Sequence, residues 1–174
     1  MKRIISILVL SLVMSCSSIR VNYDYEKTTN FDAYKTYNYY SDMTSGMSDL
    51  DTKRLYKALD NALLSSGYLI SEKPDFLINI KSVEFQQQSG NNVGVGIGGT
   101  GGQVGGGITI GLPIGQTQMA REIVFEFVDE TNNGLFWQAV SESNYRPNAT
   151  PEKCEAQFIA IVKKVLKGFP PEIQ

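Results

Sequence analysis

The 174-residue chain contains no histidine. That excludes Ser-His-Asp and Cys-His catalysis, histidine-ligated zinc and histidine-based pH sensing together. Cysteine is nearly as scarce, with Cys16 and Cys154 alone, too few for a disulfide framework. Lys and Arg total 16 against 18 Asp and Glu, a net charge of −2, and no basic patch marks a nucleic-acid surface. There is also no apolar run long enough to span a bilayer. The longest, Ile4 to Met14, falls short of the roughly 20 residues a crossing helix needs.

Glycine and tyrosine are plentiful, and both are unevenly spread. Of the 16 glycines, 12 fall between Gly90 and Gly115, a stretch with no charge. Six of the 9 tyrosines fall between Tyr23 and Tyr40, a local bias typical of strands.

The N-terminus has the form of a signal peptide: basic Lys2 and Arg3, the apolar Ile4–Met14 core, then Val13-Met14-Ser15-Cys16. The last four residues resemble the lipobox of bacterial lipoproteins, with a branched residue at −3, a small one at −1 and cysteine at +1. The resemblance implies cleavage before Cys16, a diacylglyceryl group on its thiol and an acylated new amino group. Several acyl chains hold a protein on a membrane far more firmly than one. Ser17 occupies the position where Asp would signal inner-membrane retention, so the expected address is the periplasmic face of the outer membrane. Cys154 is then a lone thiol on the apolar stripe of a helix.

Strands are read at Val21–Tyr25, Lys35–Tyr40, Phe76–Gln86, Gln116–Asp129 and Leu135–Ser143 from apolar alternation. After Lys81 the apolar parity shifts to Val83 and Phe85, which a bulge or the end of the packed region would produce. Arg121 interrupts the apolar face of Met119, Ile123, Phe125 and Phe127, while Glu122 and Glu126 take the other face. Asn133-Gly134 reads as a tight turn. A helix is predicted from about Asp49 to Ser66, opened by Ser48 in a capping box with Asp51 and stopped by Gly67. A second opens at Thr150-Pro151 and carries Cys154, Phe158, Ile161, Val162 and Val165 on one stripe. The expected fold is α+β: a two-layer sandwich of about five mostly antiparallel strands with both helices on one face, plus a Gly-rich hairpin or loop insertion.

In order, the chain carries the lipobox, Phe31-Asp32-Ala33-Tyr34-Lys35-Thr36-Tyr37, Pro74-Asp75-Phe76-Leu77, a glycine-rich insertion, and Phe127-Val128-Asp129 through Leu135-Phe136-Trp137. This series resembles the DUF4136 domain lipoproteins. The resemblance implies a secreted or lipid-anchored α/β domain and carries over no catalytic residue or cofactor. The layout expected is a signal peptide at 1–15, a lipidated tether at 16–20, and one domain over 21–174 with its insertion at 90–115.

The insertion matches GxGxxG at Gly94 to Gly99. A dinucleotide site requires a helix opening inside that motif, and here more glycine and β-branched residues follow. Instead Val93, Val95 and Ile97, and on the return Ile108, Ile110 and Leu112, alternate with small residues. Period two makes each arm a strand with one aliphatic face and one nearly bare face. These six residues form the candidate interaction surface. Three readings of the segment stay open: a flexible tether, a hairpin packed on its own domain, and a contact with a membrane or another chain.

No metal site, cofactor site or catalytic set is read from the residues. Glu122 and Glu126 lie about 13 Å apart along one strand, too far for a glycosidase pair. The favoured reading is a non-catalytic binding or structural module. It is tethered to a membrane through Cys16, with an envelope protein or a second copy as partner. The alternative is a hydrolase or other enzyme acting on envelope lipid or glycan. That would require a concave pocket with convergent carboxylate, Tyr or Lys groups of shifted pKa.

Overall fold

In the computed structural model, residues 19–88, 117–131 and 134–172 are described. Cys16, the whole segment 90–115 and Asn133 of the expected turn lie outside them. Among the described residues the elements run β1 (Arg20–Tyr25), a 3-10 turn (Phe31–Ala33), β2 (Thr36–Tyr39), α1 (Asp49–Ser65), β3 (Leu69–Ile70), β4 (Phe76–Gln88), β5 (Thr117–Asp129), β6 (Gly134–Asn144) and α2 (Pro151–Val165).

The strands form one mixed six-stranded sheet in the order β1-β6-β5-β4-β2-β3. The expectation of about five mostly antiparallel strands is corrected here. β1, β6, β5 and β4 pair antiparallel, but β2 runs parallel to both β4 and β3. The cause is connectivity: β2, α1 and β3 form a strand–helix–strand crossover, and such a crossover returns its second strand parallel to the first. β3 is only two residues long, too short for its alternation to register in sequence.

Alternate residues of the sheet join both helices in one core. Phe76, Ile78 and Ile80 of β4, Ile123, Phe125 and Phe127 of β5, and Trp137 and Ala139 of β6 pack with Leu55, Leu59 and Leu63 of α1. Phe158, Ile161, Val162 and Val165 of α2 complete the set. The opposite face carries Asn79, Glu122, Val124, Glu126 and Val140 and is half-exposed.

The parity shift in β4 is not a bulge. Its pairing with β5 runs unbroken from Leu77↔Val128 to Gln88↔Thr117. Past Ile80 the core face carries Ser82 and Glu84, and Val83 stands 62% exposed on the other side, so the packed region simply ends. The bulge lies elsewhere, between Phe127 and Val128 in the β5–β6 register. It makes Phe136 an extra residue in β6, so Phe136 and Trp137 are both fully buried. Strict alternation would place Phe136 on the face of Gln138 and Val140; the bulge is why it lies in the core.

The capping box of α1 is half made. Ser48 Oγ accepts from Asp51 N at 3.3 Å, but the Asp51 carboxylate turns to Arg54 and Arg121. Thr150 caps α2 by position without a side-chain bond, and Pro151 occupies the first turn. Gly46, at φ +74°, is required: a Cβ there would run into the Ser82 carbonyl.

The two central motifs of the sequence bind each other. Asp75 Oδ2 accepts from Lys35 N at 2.9 Å, Thr36 N at 2.8 Å and Thr36 Oγ1 at 2.8 Å. In return Asp75 N donates to Thr36 O at 3.0 Å. Burial alone would push the Asp75 carboxyl up, but these donors outweigh it and hold it below its ordinary range. Its contribution is therefore complete above the ordinary aspartate range and is lost as pH falls through the depressed value in the fold. Asp75→Ala should cost about 1 kcal/mol near neutrality, after allowing for screening at this exposed site. Urea melts at neutral pH and near the ordinary aspartate pKa of about 3.9 or below check this. The gap between wild type and variant should narrow in acid. An equal gap at both pH values would remove the charge from the explanation.

Candidate functional site

Three places on the described surface and core merit comparison: a buried ion cluster, two polar hollows at the aromatic end of the sheet, and a groove between the helices. The ion cluster answers the oddity of Arg121. This residue is 5% exposed and sits on the core face of β5. Its Nη1 donates to Asp51 Oδ2 at 2.9 Å and its Nη2 to Glu84 Oε1 at 2.7 Å. Arg54 Nη1 meets the other Asp51 oxygen at 2.9 Å. The guanidinium lies over the Tyr145 ring, 4.0 Å from its centroid. Arg121 thus joins α1, β4 and β5 through one planar fork. The adjoining void, about 20 Å³, holds about one water and no organic ligand. This cluster fastens the fold. Arg121→Met should destabilise by roughly 2–3 kcal/mol, because it leaves the buried Asp51 carboxylate with Arg54 alone and Glu84, at the rim, without its partner. Adding Glu84→Gln and Asp51→Asn should recover part of that loss in chemical denaturation.

At the other end of the core, a hollow of about 390 Å³ is lined by Asn30, Tyr34, Asp75 and Asp129 among others. Its carboxylates are held by the fold itself. Asp129 accepts from the Tyr34 hydroxyl at 3.1 Å and from Thr131 N at 2.9 Å, and Asp75 is bound to Lys35 and Thr36 as above. A smaller hollow of about 250 Å³ beside Asp24 and Glu26 is shallow and polar. Tyr37 and Tyr39 both donate to Asp60 Oδ1, at 2.8 and 2.7 Å. Burial first, and Asp60 second, push both phenols above their ordinary range, so they stay protonated donors. On the open sheet face Glu122 stands directly opposite Glu142 in register. Glu142 accepts from Gln87 at 2.9 Å, while Glu126 takes Lys81 at 3.0 Å and Asn79 at 2.7 Å. Among the described residues no group of three or more Cys, Asp or Glu is placed to hold a metal ion.

The groove is larger than either hollow, about 1030 Å³. It runs between α1 and α2 and is walled by Ala58 and Ala62 on one side and by Ala156, Ile159 and Ala160 on the other. Ile159 is 53% exposed. Ile19 closes one part of it, and Lys163, Lys164 and Lys167 stand along it. No helix among the described residues is long and apolar enough to cross a membrane.

The sequence-predicted surface is not among these features. Val93, Val95, Ile97, Ile108, Ile110 and Leu112 all lie outside the described residues, as does Cys16. The structure does describe the base from which the segment leaves: β4 and β5, paired continuously to Gln88 and Thr117. Cys154 is half-buried on α2 and is a free thiol. Sequence reasoning missed both the groove and the Glu122–Glu142 pair. The alanines at 58 and 62 and at 156 and 160, one helical turn apart, were the available signal for a shallow seam between helices.

These features define an α+β domain in which the ionisable groups of the core are committed to structure and one large apolar groove is open. The chain belongs to the DUF4136 family, described as a domain of unknown function, whose model matches residues 21–171. No curated protein matches. Among solved structures, the chain is similar to a PelC dodecamer from Paraburkholderia phytofirmans bearing one leucine-to-methionine substitution. That match has 10% identity and a TM-score of 0.50, over 89% of this chain and 99% of that one. A second PelC dodecamer from the same organism matches at 11% identity and a TM-score of 0.49, over 90% and 99%. A PDZ domain protein from Parabacteroides distasonis matches at 12% identity and a TM-score of 0.47, over 97% of this chain but 40% of that one. At 10% identity the likeness to the first of these is one of fold. Neither the family description nor the neighbours' names indicate a catalytic activity.

Proposed function

We propose that this protein is a lipid-anchored, non-catalytic module of the bacterial cell envelope, tethered through Cys16 at the periplasmic face of the outer membrane. It acts by binding an envelope partner through residues 90–115. One observation carries the reading: the unbroken β4–β5 register up to Gln88↔Thr117. Twelve successive pairs make a stiff two-stranded mount, so the chain leaves and re-enters the described domain at two adjacent, fixed points. The uncharged alternation of Val93, Val95 and Ile97 with glycine, and its return at Ile108, Ile110 and Leu112, suits an apolar contact presented from that mount. The lipobox residues Val13 to Cys16 and the Ser17 that follows support the address.

The binding reading also agrees with how the described carboxylates are used. Asp51, Asp60, Asp75, Asp129 and Glu126 each accept hydrogen bonds or ion pairs from the fold itself. The PelC neighbour is named as a dodecamer, so a second copy of this chain is among the partners to be tested.

Two measurements test the proposal. In cells fed a labelled fatty acid, the wild-type chain should carry label and fractionate with the outer membrane. Cys16→Ser should lose both. Removing Asn91 to Gly115 should leave the thermal transition in place and abolish crosslinking to the partner. If the same crosslinked species appear with and without that segment, residues 90–115 are not the binding element.

A further inference from the structure

We propose that the groove between α1 and α2 is a docking site for an anionic phospholipid of the membrane that carries the anchor. An acyl chain would lie in the groove and the headgroup phosphate would lie between Lys163 and Lys167. The proposal rests on the anchored reading above, and it assigns to that anchor a second contact made by the folded domain.

Shape is the first argument. The groove measures about 1030 Å³, at the upper end of the roughly 300–1,000 Å³ usual for clefts that take small organic ligands. Its walls are aliphatic, and Ile159 stands half out of the protein with no described residue covering it. Large apolar side chains left open in a concave site usually mark a contact.

Charge is the second. The residues lining the groove include three lysines and no carboxylate, on a chain whose net charge is −2. Lys163 lies in the last turn of α2 and Lys167 in the 3-10 turn Leu166–Gly168 that follows it; both are exposed and both line the groove. Lysine stems lie along apolar surface while their ammonium groups reach toward the headgroup layer. An anionic surface attracts each such cation by about 1 kcal/mol, or roughly fivefold in affinity.

The chain itself leads to the groove. Ile19 is the first described residue, and it is buried against the groove. Lys164 Nζ donates to its carbonyl oxygen at 2.7 Å, which fixes the point of entry on α2. Cys16 is three residues upstream, and three extended residues reach at most about 10 Å. The backbone of Cys16 is therefore within about 10 Å of Ile19, and an acyl group carried there would hold this end of the groove close to the lipid surface. The anchor supplies the proximity, and the groove supplies a lipid contact of its own.

The test separates the two. Among the described residues the core cluster lies between Ile19 and Phe169, so a chain of residues 16–174 carrying Cys16→Ser should keep the fold without any lipid. Its sedimentation with phosphatidylcholine vesicles is compared with that on vesicles also containing phosphatidylglycerol. Affinity for the anionic vesicles should be higher by about tenfold or more, and Lys163→Glu with Lys167→Glu should remove that preference. Ile159→Glu, at an exposed position that leaves the fold intact, should weaken vesicle binding in the same way, while Lys153→Glu outside the groove should not. Equal sedimentation with both vesicle types overturns the proposal. So does unchanged binding by the lysine or isoleucine variants, or a concentration-dependent dimer that forms in place of vesicle binding. The mass of the N-terminal peptide from cells reports acylation independently. Acylated Cys16 with no vesicle binding sinks the groove and leaves the anchor, whereas vesicle binding with unmodified Cys16 does the reverse.

Discussion

Phe76 is the residue through which the ends of the chain are brought together. Its ring meets Tyr34, Tyr37, Tyr68, Phe127, Phe136 and Phe169, with centroids 5.1 to 6.1 Å apart. Those partners come from the 3-10 turn, β2, the exit of α1, β5, β6 and the C-terminal tail. Most meet edge to face or tilted, the arrangement that the ring quadrupole favours. A single such contact adds about 0.5–1.5 kcal/mol beyond burial, so the cluster outweighs any polar interaction at the surface. The sheet needs it, because β2 and β3 contribute only four and two residues to the ladder. Their place is held by rings as much as by backbone pairing.

The opposite end of the core has a different lock. There the apolar run of β4 stops, and Arg121, Asp51 and Glu84 take over. A buried ion cluster is a weak source of stability but a strict one, since each member is tolerable only with the others present. The domain is thus closed by shape at one end and by charge at the other. Asp51, Asp60, Asp75 and Asp129, with the phenols of Tyr34, Tyr37 and Tyr39, are bound within that frame.

Much of this architecture was legible in the sequence. Both helices, their opening residues Ser48 and Pro151, and five strands follow from periodicity and caps alone. What escaped was long-range or very short. β3 is below the length at which alternation can be seen. The bulge at Phe127 and Val128 is a property of two strands in register, so Phe136 could not be assigned to the core from its own strand. Arg121 was visible as an interruption, but its partner Asp51 lies 70 residues away, in a position that local reasoning assigns to the helix cap. The motifs at Lys35-Thr36 and Pro74-Asp75 stand far apart in the sequence and are one contact in the fold. The groove was the least legible feature, because a concavity is set by the spacing of two helices rather than by any residue within it.

The N- and C-terminal ends of the domain are sewn to each other. Tyr23 donates to the Lys164 carbonyl at 2.5 Å, and the Trp137 indole donates to the Gly168 carbonyl at 2.9 Å. Gly168 has no room for a Cβ, which would sit 2.5 Å from the Tyr23 ring. A pull on the chain ahead of Ile19 is therefore shared at once by the Lys164 contact, the six pairs of β1 with β6 and the last turn of α2. Tension entering at that point must break several bonds together before it reaches Phe76. Resistance to forced opening is governed by the unfolding barrier and not by net stability. The seam between Tyr23 and Gly168 makes the domain mechanically robust at the one place where a tether would load it.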